Sequence, residues 1–169
     1  LIRRKWLNND FGGLTYSLNH EIRNLNLILG GASNSYSGQH YGNIIWLKYA
    51  SNGDFNQTYY WNKAEKLDHN FFAKASYKYG DATNFYADLQ RRRVNYLFEG
   101  LDENGNSALQ EVSLAFFNPK FGLYHDLNQM QSVYVSFAVA NKEPNRNDYV
   151  ESTPNSRPKH ETLYDTEIG

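Results

Sequence analysis

Ala73-Lys74-Ala75-Ser76-Tyr77-Lys78-Tyr79-Gly80-Asp81-Ala82-Thr83-Asn84-Phe85-Tyr86-Ala87-Asp88-Leu89-Gln90 contains two alternating runs and one tight connection. Ala73, Ala75, Tyr77 and Tyr79 alternate with Lys74, Ser76 and Lys78. After Gly80-Asp81, Phe85, Ala87 and Leu89 alternate with Tyr86, Asp88 and Gln90. A period of two predicts strands, and the short Gly-Asp connection predicts a hairpin. The second strand is expected to continue through Val94-Asn95-Tyr96-Leu97-Phe98.

The same unit recurs along the chain. Leu14, Tyr16 and Leu18, then Leu25, Leu27 and Leu29, flank Arg23-Asn24. Phe117, Phe121 and Leu123 precede Asn128-Gln129, and Val133, Val135, Phe137 and Val139 form the cleanest alternation after it. A last strand is predicted near Thr162-Leu163-Tyr164. The opposite connections are long, polar and aromatic-rich, over roughly 34–68, 99–112 and 142–161. Short turns at one end and long loops at the other are the pattern of an antiparallel transmembrane β-barrel, with about ten alternating residues per crossing. Lys, Asp, Gln and Ser on the polar faces would then line a wet interior. Within 34–68, Asn43–Tyr49 and Gln57–Trp61 around Ser51-Asn52-Gly53-Asp54 predict an extended hairpin with a mobile tip at 51–55. Residues 62–69 allow one helical turn at most.

Composition sets outer bounds. The chain has 169 residues, 16% aromatic, no Cys and net charge -1. That excludes disulfides, thiolate zinc sites and a general attraction to nucleic acid. No apolar run is long enough for a transmembrane helix, which says nothing of strands. Leu1-Ile2-Arg3-Arg4-Lys5 lacks the apolar segment of a signal peptide, so the chain is expected to be a piece of a longer one.

Two features resist the membrane reading. Arg91 and Arg93 share the face of Phe85, Ala87 and Leu89. An Arg facing lipid at the midplane costs about 2–4 kcal/mol, and less near an interface. The side chains either snorkel at the rim, are re-aimed by a bulge, or meet lipid phosphates. Pro119 cannot donate to a ladder and is expected at a bulge or strand start near the loop end.

Several segments, in order, resemble TonB-dependent outer-membrane receptors of the Bacteroidetes type, in the C-terminal part of the barrel. They are Arg3-Arg4-Lys5-Trp6 with Asn9-Asp10-Phe11, then Phe117-Asn118-Pro119-Lys120-Phe121-Gly122-Leu123. Next come Val133–Ala138 and Ala140-Asn141-Lys142-Glu143-Pro144-Asn145-Arg146-Asn147-Asp148-Tyr149, and last Pro158–Asp165 with Glu167-Ile168-Gly169. The resemblance implies an all-β segment of six or seven strands from a barrel of about 22 strands with a plugged lumen. Residues 1–169 would be one partial barrel segment, with the plug domain and the remaining strands outside it. It implies active uptake of a scarce nutrient, foremost a ferric siderophore or haem-type iron complex, alternatively cobalamin or a glycan. The implied partners are the plug and rest of the barrel, the TonB complex, outer-membrane lipid and lipopolysaccharide, and a surface lipoprotein lid.

Candidate ligand residues lie in the long loops: Tyr36, His40, Tyr41, Tyr59, Tyr60 and Trp61, with Arg146 and Arg157 facing an anionic ligand beside Lys159 and His160. Loop aromatics offer rigid, amphipathic contact area. Their alternative role is packing the hairpin or forming an interfacial girdle. The five His residues have no metal-ligand spacing, Asp102 and Glu103 read as solvated turn acids, and no nucleophile motif or cofactor is expected. A soluble β-sandwich that binds carbohydrate is the rival reading, in which the apolar faces pack sheet on sheet.

Overall fold

The computed structural model describes residues 1–49, 56–153 and 155–169. The strands are β1 (Ile2–Ile22), β2 (Leu25–Trp46), β3 (Gln57–Tyr79), β4 (Thr83–Leu101), β5 (Gln110–Asn128), β6 (Gln131–Lys142) and β7 (Glu161–Ile168), and one short helix, α1 (Arg146–Val150), lies between β6 and β7. They form a single seven-stranded antiparallel sheet in strict chain order, β1 to β7. The tight turns at Arg23–Asn24, Gly80–Ala82 and Gln129–Met130 lie at one end of the sheet. Gly80 takes φ +63°, the left-handed conformation that a glycine adopts without steric cost.

The strands are longer than the sequence pattern suggests. β2 and β3 pair without interruption from Leu25↔Tyr77 to Gly42↔Tyr60, so most of 34–68 is ladder. Residues 62–69 belong to β3, so no helical turn forms there. Backbone pairing on both sides satisfies these amides, and the polar side chains do not interrupt it. The connection predicted over 99–112 shrinks to 102–109. The expected mobile tip at 51–55 lies outside the described residues.

Register assigns the faces. Leu18, Leu29, Ala73, Leu89 and Pro119 form one cross-strand row; Phe85, Leu123, Val135 and Ile168 form another on the same face. Near the tight turns this face is a continuous apolar surface that nothing in the described chain covers. Leu14 is 67% exposed, Leu18 64% and Phe121 46%. A sandwich needs a second sheet over that surface. The described residues contain one sheet, not the two packed layers that the soluble-sandwich alternative expects. Lys74, Asp88, Gln90, Asn118 and Lys120 point to the other face, where Lys74 and Asp88 pair at 3.2 Å.

That polar face is not wet throughout. Towards the long loops it carries Ala64, Val94, Phe98 and Phe116, all buried. Tyr149 of α1 covers this patch, 1% exposed and packed with Ala64 and Phe98. Its ring lies 5.6 Å from that of Phe98 and 5.7 Å from that of Tyr96. The expectation of a hydrophilic lining therefore holds for the turn end and fails at the loop end, where the 143–160 connection folds back and excludes water.

Pro119 also departs from expectation. It sits within β5, opposite Leu89, and pairing with β6 begins only at Lys120↔Ala138. On the β6 side the missing ladder bond is replaced by side chains. Asn141 donates through its backbone N to Asn118 Oδ1 (3.1 Å) and through Nδ2 to the Phe117 carbonyl (3.2 Å). A proline is tolerated where the backbone ladder has already stopped.

Candidate functional site

At the loop end of the polar face lies a cavity of about 370 Å³, walled by His40 of β2, Tyr60 and Asn62 of β3, the 102–104 turn, and Arg146 of α1. Two local features build it. The first is α1. Asn145 starts the helix, its backbone N–H donating to Asp148 Oδ2 at 2.7 Å. This fixes the orientation from which Arg146 enters the cavity. Arg146 donates to Asn62 Oδ1 at 2.5 Å and to the Gly38 carbonyl at 3.5 Å. Its described partners are thus neutral acceptors. Burial lowers its guanidinium below the ordinary value, yet an arginine remains charged. The same burial, with the Arg146 charge, lowers His40 below the ordinary imidazole value.

The second feature is a register shift between Gly42 and Asn43, where β3 supplies Tyr60 to one and Thr58 to the other. Tyr59 is the extra residue, released from the alternation. Its ring lies 4.9 Å from that of Tyr60, and the Arg3 guanidinium sits 4.8 Å above it. A Cβ on Gly42 would come within 2.4 Å of Tyr60 and 2.6 Å of Tyr59, so the absence of a side chain admits both rings.

The sequence candidates therefore separate. His40, Tyr60 and Arg146 line the cavity, Tyr36 shares the sheet face of His40 without lining it, and the bulge brings Tyr59 against Tyr60. Tyr36 donates to Asn9 Oδ1 at 2.8 Å. Tyr41 and Trp61 are paired with each other across the ladder on the opposite face, where Tyr41 stacks on Trp6 at 6.3 Å. Arg157 is exposed in the β6–β7 connection, and His160 lies edge-on to Phe116 at 5.3 Å. Asn62 and Gly38 are members of the site that sequence reading missed. Their signal was parity with Tyr36, His40 and Tyr60 along the strands.

Two of the acids near the cavity, Asp102 and Glu103, are already engaged, while Glu151 of the α1 C-terminus also lines it and makes no ion pair among the described residues. Asp102 accepts from the Asn104 and Asn106 amides at 2.9 and 2.7 Å, which holds its carboxyl below the usual carboxylate range. It is a turn residue, as well as a loop acid. Glu103 pairs with Lys5 at 2.5 Å. A lowered folded pKa stabilises above the unfolded value and is lost as pH falls through the folded one. Asp102→Asn is therefore expected to lower the amide protection factors in 102–109 at neutral pH, and acidification below the carboxylate range to lower them in the unmodified chain once the intrinsic slowing of exchange is divided out. Hydrogen-exchange mass spectrometry of the loop peptide checks both.

Below the cavity, Arg92 donates to Asp68 (2.9 Å from Nε and 2.5 Å from Nη2) and to Glu143 (3.1 Å). Lys66 bonds Glu143 at 2.6 Å and lies 3.5 Å from Asp68. Two cations and two carboxylates thus tie the start of the β6–β7 connection to β3 and β4. Among the described residues no three His, Asp or Glu side chains cluster to hold a metal ion.

The sequence matches no protein-family model and no curated protein. The fold is similar to solved membrane transporters. It superposes on copper transporter OprC with a TM-score of 0.75 at 12% identity, covering 97% of this chain and 27% of that one. On ferric citrate transporter FecA, solved in the unliganded form, the TM-score is 0.51 at 12% identity, over 82% of this chain and 21% of that one. The all-β fold of this chain is that of a segment of their barrels. The chain spans about a quarter of the length of these relatives.

Proposed function

We propose that this chain is part of the barrel wall and external loops of a TonB-dependent outer-membrane receptor, of the Bacteroidetes type that the sequence resembles. In that reading it sits in the outer membrane of a Gram-negative bacterium and takes part in active uptake of a scarce nutrient. The observation that carries this is the sheet itself. One face is an uncovered apolar surface near the tight turns, and the other is polar and receives the long loops. Hydrocarbon accommodates the first and a plugged lumen the second. The plug, the remaining strands, the TonB complex and a lipoprotein lid are the partners this reading requires.

The cargo that suits the cavity best is an anionic ferric chelate of the siderophore or haem type. Among the described residues Arg146 hydrogen-bonds only neutral acceptors, while Tyr60 lines the cavity with its ring backed by Tyr59. The nearby acids Asp102 and Glu103 are occupied by turn amides and Lys5. Carboxylate and phenolate oxygens are good partners for such a guanidinium. The solved relatives, a copper and a ferric citrate transporter, carry metal-linked cargo.

Arg146→Gln is expected to weaken ferric-chelate capture by the full receptor about ten- to hundred-fold, the range of a lost hydrogen bond to a charged group. Equilibrium binding of radiolabelled ferric chelates to outer membranes measures it. A deletion strain that grows normally on every iron and haem source would remove the iron assignment. Extraction of the protein by buffer without detergent would remove the membrane reading itself.

A further inference from the structure

The apolar face ends abruptly, and its edge carries charge. Counting from the tight turn at Gly80–Ala82, β4 presents Phe85, Ala87 and Leu89, then Arg91 and Arg93. The β3–β4 pairing has no register shift, so no bulge re-aims either arginine. Arg91 lies opposite Phe71 and Phe117; Arg93 lies opposite His69 and Ala115. Both arginines are exposed, and neither makes a salt bridge among the described residues. His69 Nδ1 and Ser33 Oγ are 2.8 Å apart in the same row as Arg93.

Height fixes what these groups meet if the sheet crosses a bilayer as proposed above. At about 3.3 Å per residue and a tilt of about 40°, Arg91 lies about 20 Å and Arg93 about 25 Å above Thr83 along the membrane normal. The apolar band of such a barrel is about 25 Å tall. Arg93 therefore stands at the outer edge of the band and Arg91 about 5 Å beneath it, close enough for its long side chain to reach up to the headgroups. Ala115 beside Arg93 is small, and so are Gly31 and Ser33 on β2, one strand beyond Phe71 and His69. Phe71 and Phe117 flank Arg91, and Leu89 lies one step closer to the tight turn, all exposed on the same face.

We propose that Arg91 and Arg93, with His69 and Ser33 beside them, form a binding site for a phosphate group of an anionic membrane lipid, whose acyl chains lie on Phe71, Leu89 and Phe117. Two guanidinium forks two residues apart on one strand suit phosphate oxygens, and their weak hydration suits a headgroup boundary. Free phosphate would gain nothing from these apolar side chains, so the occupant is the lipid.

The test uses the full receptor containing this chain, purified in detergent, with bisphosphorylated lipid A as the probe. Native mass spectrometry should show bisphosphorylated lipid A retained at least ten-fold over its dephosphorylated form. Arg91→Gln/Arg93→Gln should lose that preference, and Arg91→Lys/Arg93→Lys should recover part of it. Heat-modifiable migration on gels confirms that each variant is folded. Equal retention of both lipids by the unmodified receptor, an unchanged preference in the Gln variant, or displacement by equimolar inorganic phosphate would each overturn the site. Because the receptor must first require detergent for extraction, failure of the membrane reading is seen separately.

Discussion

Arg92→Ala is expected to lower the stability of the folded receptor by about 2–3 kcal/mol, more than any surface substitution on the same strand. The guanidinium holds Asp68 through three hydrogen bonds and Glu143 through a fourth. Removing it leaves Lys66 to serve both carboxylates, at 3.5 Å from Asp68 and 2.6 Å from Glu143. Breaking a fully buried pair from one side costs about 3–5 kcal/mol, because the surviving charge stays desolvated. The side chains here keep 12–24% of their surface, which discounts that figure. Urea titration of the refolded receptor, read by heat-modifiable migration, measures the loss. Arg92→Ala/Asp68→Ala should be less destabilised than the sum of its single variants, because the stranded carboxylate is gone. Additive effects would mean that the pair contributes no coupling.

Tyr149→Ala is expected to undock the β6–β7 connection at a local cost of about 3–5 kcal/mol, the range for truncating a buried aromatic side chain. Its ring fills the space between Ala64, Phe98 and Tyr96, and the backbone carbonyl of Tyr149 accepts from Gln110 Nε2 at 2.6 Å. The cavity opened would adjoin the loop, so the cost should appear as faster amide exchange over α1 and cleavage within 143–160, with the β-ladder protected. Tyr149→Phe should be neutral or slightly stabilising. The hydroxyl is buried without a hydrogen-bond partner among the described residues, and burial pushes it up to about 12. Removing an unsatisfied buried hydroxyl loses no bond. Loop release in the Phe variant would show that the hydroxyl has a partner beyond this chain.

These two residues also show why part of the molecule was hidden in the sequence. Glu143, Arg146 and Tyr149 fall in the segment that carries the receptor resemblance, yet their spacing reads only as a polar loop. Their contacts lie far along the chain: Glu143 reaches Lys66, and Arg146 reaches Asn62. No local pattern encodes such a pairing. The split of the aromatic candidates was partly legible, because Tyr59, Tyr60 and Trp61 are consecutive and cannot share one face of a regular strand. Which of them the bulge would re-aim depended on the register opposite Gly42.

The sequence by itself determined the antiparallel strands, the tight turns and the apolar stripe. Each follows from interactions within a few residues: side-chain alternation, β-branched and aromatic content, and Gly or Asn at the turns. The tertiary structure alone decided that β2 and β3 extend through the polar segments, and that an apolar patch on the inner face is capped by α1. It also decided that Arg146 stands over a cavity beside His40 and Tyr60. Those outcomes depend on cross-strand register and on a long loop folding back, where the partners are set by three-dimensional proximity.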